Sequence, residues 1–188
     1  MAGGQSERFG SPKGLAKIRN KTLIQTVIDV LREQTSGPIA VNADLDSPYA
    51  SFSETIVPDQ CRSLGPLGGL SAALKWGSEM GYSEISTSPL DTPFLPADFL
   101  DCLHAAGAPA VAQSNNRVHF LSGLWPTELM ASLDAFIQSG ERSCKKWIAH
   151  CGARECSFEN VDVDPFFNVN TQEDLEIARE ILRKRTPA

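Results

Sequence analysis

The sequence contains no apolar run approaching the ~20 residues needed to span a bilayer. A membrane-spanning protein is therefore excluded, and no membrane partner is expected. There is also no surplus of positive charge. Seventeen Lys and Arg face twenty-three Asp and Glu, a net charge of −6. A general nucleic-acid binder neutralises phosphates with a basic surplus, so no nucleic-acid partner is expected. A small anionic ligand stays open, because a local basic loop can oppose the global sign. The five cysteines, Cys61, Cys102, Cys144, Cys151 and Cys156, show neither CxxC nor Cys/His spacing. That argues against a zinc site and favours reduced, structural thiols. Internal repeats, low-complexity tracts and long charge runs are missing too. The start lacks the basic and apolar regions of a secretory signal, so a cytoplasmic protein is expected.

What remains, at 188 residues, fits a single domain over 1–188 with a sizeable core. Apolar residues at Leu23, Ile24, Val27, Ile28, Val30 and Leu31 keep helical spacing, and Gly37-Pro38 then stops the helix before a short β-like run. "ETIVP" reads as a second strand. "GPLGGLSAALKWGSEM" reads as a glycine-rich turn feeding a helix, and "YSEISTSPLDTPFLP" as a strand ending in a turn. Pro96 suits the first turn of the next helix, and Pro126 opens a later one. "APAVAQ", "RVHFLSGLW" and "ECSFENV" read as strands. Thr171 and Asp174 form a capping-box pattern ahead of the closing helix. Alternating strands and helices predict an α/β protein with a mostly parallel sheet covered on both faces. In such sheets ligands bind beyond the carboxyl ends of the strands.

The chemistry begins in "MAGGQSERFGSPKG". Gly3 and Gly4 can turn consecutive backbone N–H groups toward an anion, and Arg8 and Lys13 add positive charge that a phosphate chain requires. A Gly-Gly turn with two solvated cations reads equally well from these residues alone. The stretch is neither GxGxxG nor GxxxxGK[ST], so the common dinucleotide and P-loop readings fit poorly. Asp91, at a predicted strand end in "PLDTPF", is either a Mg²⁺ ligand or a turn former.

"AGGQSERFGSPK" resembles the LAGGxSxRMGxxK signature of the cofactor nucleotidyltransferases, with Phe9 in place of the usual Met. "GPLGGL", "DTPF" and "FNVNTQEDL" narrow the resemblance to the molybdenum cofactor guanylyltransferase family, in family order from Ala2 to Leu175. The resemblance implies a Rossmann-like nucleotidyltransferase fold, three-layered αβα. It also implies transfer of GMP from GTP to the phosphate of Mo-molybdopterin, with Mg²⁺ as cofactor. Molybdoenzyme apoproteins or their chaperones would be further partners.

By the same resemblance Ala2, Gly3 and Gly4 line the nucleotide, and Lys13 and Arg8 serve its phosphates. Asp91 holds the metal, and Asp59 in "VPDQ" and Asn42 in "VNAD" contact the nucleotide. Gly65, Gly68 and Gly69 in "GPLGGL" meet the guanine. His119, Arg142, Asn168 and Asn170 are the residues assigned to the pterin side. Asn168 and Asn170 also share one face of an extended run, where two amides could read donors and acceptors. No catalytic histidine is expected, because a phosphate monoester with a second pKa of about 6 can attack unaided. The family runs an apolar strand into its glycine-rich loop, so a strand ahead of Met1 is expected to be missing. Transfer from CTP, or a non-catalytic nucleotide-binding paralogue, are the rival readings.

Overall fold

The computed structural model describes residues 12–52, 55–59, 64–159 and 162–185. Two short strands, β1 (Lys17–Ile18) and β2 (Lys21–Thr22), pair antiparallel and lead into α1 (Leu23–Gln34). Thr22 caps α1, its hydroxyl accepting from the Gln25 amide at 3.3 Å, and Leu23, Ile24, Val27 and Ile28 form the buried face. The strands β3 (Ala40–Asn42) and β4 (Thr55–Val57) pair in parallel, and α2 (Pro66–Glu79) follows them. Next come β5 (Glu84–Thr87), α3 (Phe99–Ala106), β6 (Ala110–Ser114) and β7 (Arg117–Pro126). The remaining elements are α4 (Met130–Gln138), α5 (Cys144–Cys151), β8 (Arg154–Ser157) and α6 (Gln172–Arg185).

The larger sheet has the order β5-β7-β6-β8. β7 runs antiparallel to both β5 and β6, while β8 runs parallel to β6. Thus β5, β6 and β8 point the same way and β7 alone is reversed. The reversal follows from the Asn115-Asn116 turn, whose positive φ values of 49° and 58° close β6 and β7 into a tight hairpin. Helices cover both faces. On one side Leu67, Leu70 and Leu74 of α2, Leu133 of α4 and Trp147 of α5 pack against Ile85, Val111 and Trp125. On the other, Phe99 and Leu103 of α3 and Val27 of α1 pack against Ala110, Ala112 and Leu124. The result is the three-layer αβα arrangement anticipated for the chain.

β3 and β4 form a separate two-stranded sheet. Between β3 and β5 lies a mainly apolar cavity of about 280 Å³, lined by Ile39, Val41, Ile85, Leu90, Leu100 and Leu124 among others. The strand expected ahead of Met1 falls outside the described residues.

Three local expectations shift. Pro96 precedes its helix instead of sitting in the first turn, because α3 begins at Phe99, a ring with no exposure that anchors the core. Pro126 ends β7, and α4 begins only at Met130, after a single 3-10 turn. In "GPLGGL" only Gly65 is a turn residue, with φ of +58°; α2 starts at Pro66, so Gly68 and Gly69 lie buried within the helix. Pro at the first helical position, with its φ preset, explains that early start.

Candidate active site

Lys13 opens a 3-10 turn, Lys13–Leu15, directly after the glycine-rich stretch. Its position is set by Gly14. The Gly14 amide donates to the Tyr49 hydroxyl at 3.2 Å, and the backbone presses so close that an added Cβ would lie 2.7 Å from Leu90 Cδ1 and 2.8 Å from Tyr49 Cε1. Burial pushes the Tyr49 phenol pKa up, against the opposing pull of the Gly14 amide, so the hydroxyl stays neutral. Gly14→Ala is expected to displace the Lys13 turn, lowering stability by about 1–3 kcal/mol. Because small misplacements at a reacting centre are costly, catalytic rate should fall by about 10-fold or more. Thermal melts and steady-state pyrophosphate release check both.

From that turn the Lys13 ammonium forms an ion pair with Asp91 and donates to the Asn170 amide oxygen at 2.9 Å. Asp91 is 5 % exposed. It lies on the turn that follows β5, and its backbone carbonyl accepts from the Val169 amide at 2.9 Å. Asn168, with its amide nitrogen turned toward Asp91, donates to both carboxylate oxygens, one of them at 2.8 Å. A buried carboxylate needs such partners, since an isolated charge away from water is strongly unfavourable. The capping box at α6 then fixes Asn170. Asp174 accepts from the amides of Asn170 and Thr171 at 2.9 Å each, and the Thr171 hydroxyl accepts from the Asp174 amide at 3.1 Å.

Asn42 and Asp59 also meet. Asn42, at the carboxyl end of β3, donates to the Val57 carbonyl at 2.9 Å and to the Asp59 carboxylate at 2.6 Å. Both groups border one apolar cluster, of Ile24, Ile28, Val41, Ala43, Tyr49 and Leu90, since Ala43 follows Asn42 and Leu90 precedes Asp91 in the chain.

His119 and Arg142 have other partners. His119, on β7, stacks on Phe166 with centroids 4.7 Å apart and hydrogen-bonds to Ser114 at 2.8 Å. Arg142 donates to the carbonyls of Ile137 and Glu141 at 2.7 Å each, closing the end of α4 instead of meeting Asp91. Ala2, Gly3, Gly4 and Arg8 lie outside the described residues. Gly14, Tyr49, Ser114 and Asp164 were not expected from the sequence; only Gly14, next to Lys13 in a glycine-rich run, carried a signal.

Among the described residues there is no group of three or more His, Cys, Asp and Glu side chains that could hold a metal ion. The four described cysteines are free thiols. Burial raises the pKa of Cys144, Cys151 and Cys156; burial and then the Asp98 carboxylate push Cys102 up to about 11. None is an activated nucleophile.

A cationic lysine, a buried carboxylate and the two amides that precede α6 converge into one polar cluster with the charge and donors that phosphate oxygens and a counter-ion engage. The family model for the MobA-like NTP transferase domain matches residues 1–155. The chain belongs to this family. A molybdenum cofactor guanylyltransferase of Rhodobacter capsulatus is 35 % identical over 189 residues, covering 100 % of this chain and 96 % of the relative. The crystal structure of molybdopterin-guanine dinucleotide biosynthesis protein A from Archaeoglobus fulgidus superposes with a TM-score of 0.74 at 20 % identity, covering 97 % of this chain and 96 % of that one. A Mycobacterium tuberculosis protein crystallised in complex with manganese gives 0.62 at 18 % identity, over 92 % of this chain and 94 % of its own. As a MobA-like NTP transferase, the protein is a nucleotidyltransferase with the Rossmann-like fold of those neighbours. No helix among the described residues is long and apolar enough to cross a membrane.

Proposed function

We propose that this MobA-like transferase moves GMP from GTP to the phosphate of Mo-molybdopterin, releasing pyrophosphate. The observation that carries the reading is the contact of Lys13 with Asp91, two residues 78 positions apart in the chain, clasped by Asn168 and Asn170. The names of the curated relatives support the choice of nucleotide and acceptor.

In this reading a phosphate oxygen of the acceptor forms a bond to the α-phosphorus of GTP as the bond from that phosphorus to the β-phosphate oxygen breaks. The acceptor is already mostly ionised near neutrality, its second pKa being about 6, so no protein base removes a proton. The difficulty is charge. Lys13 compensates the triphosphate, with Arg8 and the amides around Ala2, Gly3 and Gly4 proposed to add to it, and positioning does the rest.

Asp91 already binds a cation, the Lys13 ammonium, and its hard oxygen donors with the neighbouring amides suit Mg²⁺, which takes one or two carboxylates beside substrate phosphates. When bound there, the metal would supply charge compensation to the phosphates. Asn42 and Asp59 are proposed to hold the nucleoside. Gly65 and the buried start of α2, with Gly68 and Gly69, are proposed to meet the guanine. Asn168, Asn170 and His119 are proposed to face the acceptor.

A thermal-shift panel of GTP, CTP and ATP with Mg²⁺ tests the nucleotide. Stabilisation by GTP alone is expected, about 2.7 kcal/mol at a hundredfold excess over Kd. Stabilisation by CTP would reassign the enzyme as a cytidylyltransferase, and by none would leave a non-catalytic paralogue.

A further inference from the structure

The loop between β8 and α6 spaces its contacts at alternate residues. Asp164 reaches Ser114, Phe166 stacks on His119, Asn168 reaches Asp91 and Asn170 reaches Lys13. The last two contacts belong to the nucleotide site. The first two have no role in it, yet Phe166 precedes Asn168 by only two residues, a span of roughly 7 Å.

Hydrogen-bond counting at Ser114 assigns every proton. Ser114 is 1 % exposed and closes the carboxyl end of β6, and its hydroxyl has a single proton. Asp164 Oδ1 only accepts, taking the Ser114 hydroxyl at 2.8 Å and the Phe166 amide at 2.9 Å. The Ser114 oxygen must therefore accept from His119 Nε2, also at 2.8 Å. In the neutral ring that bond fixes the tautomer with hydrogen on Nε2 and leaves Nδ1 as a lone-pair acceptor. The ring plane is held by Phe166. The carboxyl ends of β5, β6 and β8 lead to Asp91, Ser114 and Asp164, so His119 stands at the same end of the sheet as Asp91.

We infer that Asp164 and Ser114 are positioning residues that orient His119 so that its Nδ1 accepts a hydrogen bond from an N–H or O–H group of the acceptor substrate, which makes His119 a specificity determinant. The inference rests on the proposed function for the identity of the acceptor, a pterin carrying ring N–H donors. The charged groups facing the imidazole agree with it. Burial and Arg117 lower the His119 pKa below its ordinary value, outweighing the opposing pull of Asp164. The ring is then neutral near pH 7, as an acceptor must be.

The test combines nitrogen NMR of the imidazole with kinetics. In the unliganded enzyme the His119 resonances should report a proton on Nε2 and a bare Nδ1, and added molybdopterin should shift Nδ1. Ser114→Ala should lose the single tautomer and raise the KM for molybdopterin about 5- to 10-fold, with the KM for GTP near the parent value. Asp164→Ala, a second route should Ser114→Ala fail to fold, should do the same. Asp164→Asn keeps both hydrogen bonds through its amide oxygen. It should hold the parent's molybdopterin KM while the imidazole titrates at lower pH, since a negative neighbour that raised its pKa is gone. A proton on Nδ1 in the parent, or equal rises in both KM values in the serine variant, would overturn the inference. Should the parent release no pyrophosphate from GTP with molybdopterin, the proposed function falls, while the tautomer readout still decides the arrangement of the three side chains.

Discussion

Replacing Asp91 by Asn is expected to lower the rate of GTP-dependent pyrophosphate release by about 10²- to 10³-fold, the scale found when one preorganised electrostatic group is removed. The substitution keeps the shape and one acceptor oxygen, so Asn168 retains a partner and the Val169 amide still meets the backbone carbonyl of residue 91. What disappears is the negative charge. In the free enzyme Lys13 loses its counter-ion, and with nucleotide bound the proposed metal loses its carboxylate. GTP with Mg²⁺ should then raise the melting temperature far less than in the parent. Circular dichroism establishes that the variant is folded before rates are compared. Undiminished turnover in a folded Asp91→Asn protein would remove this carboxylate from the reaction.

Trp125→Ala should carry the largest stability effect, about 3–5 kcal/mol. The indole has no exposure, sits among Leu67, Leu70, Leu74 and Val111, and meets Phe120 at a centroid distance of 5.5 Å. Its N–H donates to the Thr87 hydroxyl at 3.0 Å, tying β7 to the end of β5. Gly123 leaves room for the ring, because a Cβ there would lie 2.9 Å from the indole and 2.7 Å from the Ala110 carbonyl. Against a typical total stability of about 5–15 kcal/mol the loss is severe. For a chain of this length it corresponds to a fall in Tm of about 6–20 °C. Urea titrations measure the free energy directly, and a loss under about 1 kcal/mol would mean that neighbouring side chains collapse into the space. Trp125→Phe, which keeps a ring but not the donor, should fall between parent and alanine variant.

The parts of the candidate site that the sequence singles out are short motifs with local causes. Lys13 stands in a glycine-rich run, Asp91 in a turn after a strand, and Asn168 and Asn170 just before a capping box that the hydrogen bonds of Asp174 reproduce. The glycine-rich loop itself lies outside the described residues. Boundaries were harder to read. Proline at position 96 or 126 is compatible with a helix start but does not compel one; where α3 begins was decided by burial of Phe99. The reversal of β7 hinged on two asparagines at positive φ, residues that tolerate this backbone without announcing it as glycine does.

From the chain alone came the alternation of strands and helices and the residue types suited to phosphate and metal. Hydrophobic spacing and turn chemistry act over a few neighbouring positions, and a linear reading recovers them. Partnership arose only on folding. Ser114 and Asp164 are 50 positions apart, and Lys13 and Asn170 are 157 apart. No local preference links such residues; sheet order and the packing of the last loop against three strand ends bring them within hydrogen-bonding distance.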